Sequence, residues 1–185
     1  MRVLLAMLMT VSTANTMAAV FTVPLNDKSS ITFISRQMGV PVNGHFTKFT
    51  SRIVFDPARP DVSRAEIDVA LASVNAGSGE ADDTVKSPLW FDVKAYPTAT
   101  FVSDGLKALG GNRYQATGKL VIKGRSFPVV VPFTAVPAGT SMVLDGVIPV
   151  SRKQYAIGGG VWADPSVVAD LVQVHFHIGL APAHK

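Results

Sequence analysis

A strict alternation of apolar and polar residues recurs along most of this chain and leaves few folds open to it. Between residues 63 and 72 every second residue is apolar, and the residues between include Arg64, Glu66 and Asp68. The same period of two returns around residues 30–33, 117–123 and 172–180. Successive side chains of a β-strand point to opposite faces, so this period indicates strands with one buried and one wet face. The chain is therefore predicted to consist almost entirely of short strands.

Glycine and proline residues separate the alternating runs. The pairs Asp104-Gly105 and Gly110-Gly111 predict turns between strands. Pro128 and Pro132 predict an edge strand or a bulged strand, because proline has no N–H to donate to a ladder. Only residues 80–91 have a helical pattern, and Pro88 limits it to one or two turns. The pattern predicts an all-β domain of about eight to ten antiparallel strands, and strand count alone does not separate a barrel from a sandwich.

Composition excludes several classes of protein. Hydrophobic residues make up 48% of the chain and charged residues 16%, which excludes a disordered chain. The net charge of +4 comes without a basic run, so no nucleic-acid partner is expected. The absence of cysteine excludes disulfides, thiolate metal sites and cysteine nucleophiles.

The first 18 residues have the pattern of a secretory signal peptide. Met1-Arg2 precedes the apolar run Val3–Val11, and small residues follow it. The run is too short to span a bilayer. We expect a signal peptide over 1–18, cleaved after Ala14 or Ala18, and a single exported domain over 19–185. A first buried strand or helix is the alternative.

Six short strings follow one another in the order of a known family. They are Gly44–Phe49, Phe55–Pro57, Ser73–Gly77, Ser87–Phe101, Gly118–Gly124 and Arg152–Gly158. Together they resemble the YceI-like polyisoprenoid-binding proteins over nearly the whole chain after the signal. Trp90-Phe91 stands where that family often has two phenylalanines. The resemblance implies an extended antiparallel lipocalin-like β-barrel of about eight strands, with one short helical excursion and an elongated apolar cavity.

The resemblance also implies a function outside the cytoplasm. It implies a secreted or periplasmic, non-enzymatic carrier or binding protein for a long-chain isoprenoid or a related fatty amphiphile, with no cofactor. A barrel of about eight strands either is filled by its side chains or holds one ligand. The residues alone leave both open, and the resemblance favours the cavity. Transient membrane contact would accompany loading, and an edge strand near Pro128 and Pro132 would allow a homodimer.

The alternation and the resemblance together nominate eighteen ligand-binding residues. Twelve are expected on the wall: Phe33, Ile67, Val69, Leu71, Phe101, Leu120, Ile122, Val131, Phe133, Ile148, Val174 and Phe176. Five aromatics are expected at a mouth or plug: Phe46, Phe49, Trp90, Phe91 and Trp162. Ordinary core packing is the alternative for each. Arg152 would hold a phosphate or carboxylate head group or, as we favour, pair with Asp83 or Asp164.

Two rival functions are weighed against the carrier. One is an enzyme acting on such a lipid, but no catalytic residues are nominated, because no serine has a nucleophile-elbow context and Asp82 and Asp83 are adjacent. The other is a metal-binding or structural barrel using His175 and His177, with His45 or His184 as further ligands. Alternation with apolar residues favours solvent-facing histidines, so no metal site is predicted.

Overall fold

The computed structural model describes residues 19–183. Within them lie ten strands and one α-helix, with bounds β1 Phe21–Gln37, β2 Val40–Phe46, β3 Phe49–Val54, β4 Arg64–Ala70, β5 Val74–Asn75, α1 Gly79–Lys86, β6 Thr98–Gly110, β7 Arg113–Ile122, β8 Arg125–Ala138, β9 Ser141–Ser151 and β10 Leu171–Pro182. Three 3₁₀ turns lie at Pro60–Val62, Leu71–Ser73 and Gly160–Trp162. The predicted signal peptide and His184 fall outside the described residues.

All ten strands belong to one antiparallel sheet that curls into a barrel. The strand order is β3-β4-β6-β7-β8-β9-β10-β1-β2-β5. The curl brings β1 back to the segment after β3, where Phe21 and Phe55 exchange two backbone hydrogen bonds of 2.9 Å. The predicted all-β, lipocalin-like barrel is therefore confirmed. The ten strands lie within the range of about eight to ten that the alternation predicts, and they exceed the eight or so that the resemblance implies; one of them, β5, has only two residues.

Helix α1 lies at one end of the barrel, called here the α1 end. The side chain of Ser78 caps it by accepting from the N–H of Ala81 at 3.2 Å. The helix stops at Lys86, two residues before Pro88. The predicted helix of one or two turns is thus confirmed, although it starts one residue earlier and ends five residues sooner than residues 80–91.

The position of β8 in the sheet contradicts the prediction of an edge strand. In the sheet order it lies between β7 and β9. Its first half, however, pairs only with β7, and pairing with β9 begins at Phe133. Pro128 lies within that half and Pro132 at its end. The strand is not paired with β9 there, so the missing proline N–H removes no hydrogen bond to β9. Residues 125–132 therefore leave one margin of β8 unpaired within the described part of the chain. A homodimer formed through this margin stays a prediction.

The pair Asp104-Gly105 is not a turn but a bulge inside β6. The pairing of β6 with β7 shifts register between Ser103 and Gly105. The bulge changes which residues face inward: Phe101 and Ser103 are buried before it and Leu106 after it. One additional residue therefore keeps β6 facing the core on both sides of the bulge, as far as Leu106.

An aromatic cluster closes the end opposite α1. The ring centroids of Phe55 and Tyr114 are 5.2 Å apart, and those of Tyr114 and Phe133 are 5.5 Å apart. Phe55 has no exposed surface. This cluster is the solid part of the interior, and the space between it and α1 is the candidate site.

Candidate functional site

The barrel encloses an apolar cavity of about 500 Å³. The cavity extends from the buried rings of Phe55 and Phe133 to α1, which contributes Ala81, Thr84 and Val85 to its wall. At the α1 end it is bordered by the exposed residues Ser78 and Glu80. It therefore opens there and is closed at the other end. Its volume lies in the range of about 300–1,000 Å³ that is typical of small-molecule sites.

Seventeen of the eighteen nominated residues border this cavity. They are Phe33, Phe46, Ile67, Val69, Leu71, Trp90, Phe91, Phe101, Leu120, Ile122, Val131, Phe133, Ile148, Arg152, Trp162, Val174 and Phe176. The alternation placed the wall residues correctly because the inward face of a strand repeats every second residue. Ligand contact by these residues stays a prediction.

Phe49 is the exception. It is the first residue of β3, and although its partner Val69 borders the cavity, Phe49 itself does not. It lines a shallow depression at the seam between β1 and β3, together with polar residues such as Ser30 and Lys48. Phe49 lies on the inward-facing side of β3, but the strand begins at the margin of the barrel, away from the cavity. The prediction of a mouth or plug aromatic is therefore wrong for this residue.

Two glycines bring aromatic rings flat against the barrel wall. Gly44 is paired with Phe33 and Gly146 with Phe176. A Cβ atom on Gly44 would lie 2.1 Å from the Phe33 ring, and one on Gly146 would lie 2.4 Å from the Phe176 ring. The absence of side chains at these positions leaves room for the rings beside the wall instead of farther into the lumen.

The polar residues of the wall concentrate at the α1 end. They include Ser35 and Gln37 from β1, and Ser78, Glu80 and Thr84 in or beside α1. Sequence reasoning missed all five. Ser35 and Gln37 share the parity of Phe33, so the alternation contained a signal for them. The sequence contained no such signal for Ser78, Glu80 and Thr84, because only the tertiary fold brings α1 onto the barrel. The cavity is thus amphipathic along its length.

Aromatic residues surround the opening. Phe46 lies between Phe33 and Phe91, with centroid separations of 5.6 and 6.2 Å. Trp90 meets Trp162 edge to face at 5.8 Å. The indole N–H of Trp90 is buried and has no hydrogen-bond acceptor among the described residues.

Arg152 is buried, with 2% of its surface exposed, and serves the loop that follows it. Its guanidinium donates to the backbone carbonyls of Ile157, Gly158, Trp162, Val168 and Ala169 at 2.6–3.2 Å. A guanidinium has five N–H groups, so all of them are used.

Both functions predicted for Arg152 are therefore wrong. Among the described residues it forms no ion pair with Asp83 or Asp164, and it has no free fork for a head group. Burial lowers the pKa of Arg152, and the charge of nearby Asp170 partly opposes this. The dipoles of these carbonyl groups stabilise the buried positive charge of Arg152, as a carboxylate would otherwise do.

Two other ionisable groups near the α1 end respond to burial. Burial raises the pKa of Tyr155, whose hydroxyl donates to the carbonyl of Leu120 at 3.3 Å. Burial also lowers the pKa of Lys123, whose ammonium donates to the carbonyls of Pro88 and Ala156. Neither residue borders the cavity. Both connect loops at this end to the sheet.

The histidines lie on the outer face of the sheet. His175 and His177 alternate with Val174, Phe176 and Ile178, which border the cavity from the other face. His177 Nδ1 lies 2.6 Å from Asp145 Oδ1. Within residues 19–183 no three potential ligands come together to hold a metal ion. The metal-binding alternative therefore lacks a site among the described residues.

A family model for the YceI-like domain matches residues 24–180. The chain belongs to the YceI-like domain family. This YceI-like chain also aligns with UPF0312 proteins, at 35% identity over 88 residues in Azotobacter vinelandii and 33% over 93 residues in Pseudomonas putida W619. These alignments cover 48% and 50% of the chain and 46% and 48% of those proteins, so it spans about half the length of the relatives that it matches.

Several solved structures share the fold. BcnA of Burkholderia cenocepacia is 42% identical, with a TM-score of 0.81 over 83% of this chain and 97% of that one. The Campylobacter jejuni YCEI protein is 19% identical, with a TM-score of 0.70 over 78% and 86%. A polyisoprenoid binding domain from Saccharophagus degradans, implicated in plant cell wall breakdown, is 15% identical, with a TM-score of 0.68 over 90% and 100%.

In residues 19–183 no helix is both long and apolar enough to cross a membrane.

Proposed function

We propose that this chain is a secreted or periplasmic protein that binds a long-chain isoprenoid or a related amphiphile and carries it between membranes. The observation that carries the proposal is the apolar cavity of about 500 Å³, closed by Phe55 and Phe133 and open beside α1. The likeness of the fold to a domain described as polyisoprenoid-binding supports the choice of ligand.

Transfer energetics explain why such a ligand needs a protein. Each buried CH₂ group contributes about 0.8 kcal/mol, so a long hydrocarbon chain is too insoluble to cross water alone. Moving it from a bilayer into an apolar cavity is close to neutral, since both surroundings are apolar. A barrel of this kind can therefore exchange its ligand with membranes and shield it between them.

The apolar rim of the α1 end supports membrane contact. We define this rim as Met38, Val40, Leu89, Val161 and Leu171, whose exposures range from 49% to 78%. The hairpin tip at Met38 donates to the carbonyl of Val167, and the carbonyl of Leu89 accepts from Gly158 and Gly159, so the loops that carry the rim touch one another. Exposed apolar side chains grouped beside the cavity opening suit a lipid surface.

The direct test is native mass spectrometry of the purified protein, followed by organic extraction. We expect a long-chain lipid to copurify with the wild type. Ile67→Arg should abolish retention, because it places a charge on the cavity wall, whereas Val102→Arg should retain the lipid, because Val102 points outward with 43% exposure. Circular dichroism of both variants checks that they fold.

The same experiment separates the alternatives. Wild-type protein that neither copurifies with nor takes up a long-chain isoprenoid would contradict the proposal. Equal retention by folded Ile67→Arg would remove the cavity as the binding site. Chemical conversion of the bound lipid during incubation would indicate an enzyme instead of a carrier.

A further inference from the structure

We propose that the cavity encloses an isoprenoid of about twenty carbons, which is four isoprene units, and that Phe55 and Phe133 set this limit. The inference rests on the proposed function, since it assumes that an isoprenoid occupies the cavity. It narrows the ligand from long-chain isoprenoids in general to one chain length, and it names the residues that select this length. We define Phe55 and Phe133 as the floor of the cavity.

The first step is the volume of the cavity. An apolar protein cavity of about 150 Å³ holds one benzene molecule, which corresponds to about 25 Å³ for each carbon. The cavity of about 500 Å³ therefore holds about twenty carbons. An isoprene unit has five carbons, so this volume accommodates about four units. A chain of six units would leave about ten carbons outside the cavity.

The second step is the length of the cavity. The inward residues of β1 that border it run from Ile31 to Gln37, and those of β10 run from Val172 to Ile178. Each span covers about 20 Å along the strand, or about 15 Å along the axis of a barrel whose strands tilt by about 40°. An extended isoprenoid advances about 5 Å for each unit, because four C–C bonds of about 1.5 Å form a zigzag. The enclosed length therefore corresponds to about three to four units.

The third step is that the cavity ends at one level on three neighbouring strands. On each strand one inward residue borders the cavity, and the next inward residue is buried without bordering it. These pairs of residues are Phe133 and Ala135 on β8, Leu144 and Met142 on β9, and Ile178 and Leu180 on β10. The interior beyond the floor is therefore filled by side chains, and a longer tail finds no space there.

The fourth step is that the floor is held in place. Phe55 packs edge to face on both Tyr114 and Phe133, and the rings of Tyr114 and Phe133 stack on each other. The backbone of Phe55 exchanges two hydrogen bonds of 2.9 Å with Phe21, and these bonds close the barrel. Moving the Phe55 ring aside would therefore disturb the closure of the sheet.

The fifth step is the direction of the chain. The polar wall residues Ser78, Glu80 and Thr84 lie at the α1 end, where the cavity opens, and the floor is aromatic. A polar end group at the opening keeps hydrogen bonds to water or to these residues, whereas at the floor it would lose them. The hydrocarbon tail therefore points to the floor, and carbons beyond about twenty extend past the opening into water.

The test measures how isoprenoid alcohols of different length distribute between the delipidated protein and phosphatidylcholine vesicles. Farnesol, geranylgeraniol, geranylfarnesol and hexaprenol have three, four, five and six isoprene units and the same end group. Vesicles are the reference because transfer between two apolar surroundings is close to neutral, so the ratio of protein-bound to vesicle-bound alcohol reports the fit. The vesicles are removed by centrifugation, and the bound alcohols are extracted and quantified by mass spectrometry. We expect this ratio to stay within about threefold from three units to four and to fall at least about tenfold from four units to six.

Ala116→Phe tests the limit without removing core packing. Ala116 borders the cavity on β7, two residues from Tyr114. A phenyl ring adds six carbons to the wall there, slightly more than one isoprene unit. Geranylgeraniol binding should therefore fall about tenfold while farnesol binding stays unchanged. Ala116→Leu, which adds three carbons, replaces this variant if the phenyl ring prevents folding.

Val130→Phe is the matched control for the added ring. Val130 is paired with Thr117, the neighbour of Ala116, but it is 56% exposed and does not border the cavity. Its ratios should equal those of the wild type. Phe133→Ala changes the limit in the other direction, because it removes one ring of the floor, and it should raise the geranylfarnesol ratio about tenfold. Circular dichroism checks that each variant folds.

The outcomes are distinct. Equal wild-type ratios for geranylgeraniol and hexaprenol would overturn the limit of about twenty carbons while the proposed function stands. A wild-type length profile in the folded Ala116 variant would overturn the floor as the residues that set the limit. Failure of all four alcohols to bind the wild-type protein would remove the proposed function itself.

Discussion

At the scale of single residues, Arg152 illustrates how a charged side chain can serve structure alone. It begins a string that resembles a family motif, and arginine often marks an anion site. Here it is a buried cross-link between β9 and the loop over residues 157–169, made through five carbonyls. That loop carries Trp162, which borders the cavity, and Val161 of the apolar rim. On the proposed function, Arg152 would contribute to binding by holding this loop in position.

Arg152→Lys should be strongly destabilising although it conserves the charge. A lysine ammonium has three donors instead of five and cannot span the carbonyls of one loop as a planar fork does. We expect the free energy of unfolding in urea to fall by about 3 kcal/mol, since buried carbonyls lose their donors.

Arg125→Lys provides the control, because Arg125 is exposed and its guanidinium makes one hydrogen bond within residues 19–183, to the carbonyl of Gln154 at 3.3 Å. Its effect should stay within about 0.5 kcal/mol. Equal unfolding midpoints for the two variants would show that the carbonyl network contributes little to stability.

At the scale of elements, the short helix α1 forms part of the cavity wall. Eight residues form an unstable helix by themselves, so α1 depends on its cap and on the wall that it packs against. It contains no fully buried residue, yet Ala81, Thr84 and Val85 border the cavity. The carboxylate of Asp82 also accepts from the N–H of Ala76 at 2.6 Å, which ties the helix to the segment before it.

Ser78→Ala should loosen α1 by removing the cap, at a cost of about 1 kcal/mol to the helix. Hydrogen exchange of the amides over residues 79–86 should accelerate by about fivefold, and a bound fluorescent lipid should dissociate faster. Ser78→Asn is the matched control, since asparagine caps as well as serine. An unchanged exchange rate in Ser78→Ala would mean that packing against the barrel, and not the cap, holds the helix.

Strand β8 illustrates the limit of local signals at this scale. Its prolines indicated a missing ladder, which is correct for residues 125–132. They did not indicate that the strand lies inside the sheet order, because the second half of β8 pairs normally with β9. Proline reports on the hydrogen bonds of one residue and not on the neighbours of a whole strand.

At the scale of the whole molecule, cavity, opening and rim lie at one end. The apolar rim surrounds the end where Ser78 and Glu80 border the cavity, and the opposite end is filled by Phe55, Tyr114 and Phe133. A ligand leaving through this opening into a bilayer would avoid water along its route. On the proposed function, the rate of ligand exchange with membranes would depend on surface residues that do not border the cavity.

Val161→Asp should therefore slow the transfer of a fluorescent isoprenoid between phospholipid vesicles and leave its affinity unchanged. Val161 is 78% exposed in the rim, and losing its burial in a lipid surface should cost about tenfold in rate. Val136→Asp is the control, because Val136 is 43% exposed near the β8–β9 turn at the opposite end. Equal transfer rates for both variants would contradict docking through the rim.

The sequence by itself determined the inward faces of the strands, and with them the twelve nominated wall residues, all of which border the cavity. It could do so because the side-chain period of a strand is a local property of the backbone. The tertiary structure decided which inward side chains meet and which leave a void, where α1 lies, and that Arg152 binds carbonyls. These outcomes depend on the curl of the sheet and on contacts between residues far apart in the chain, and no local pattern encodes them.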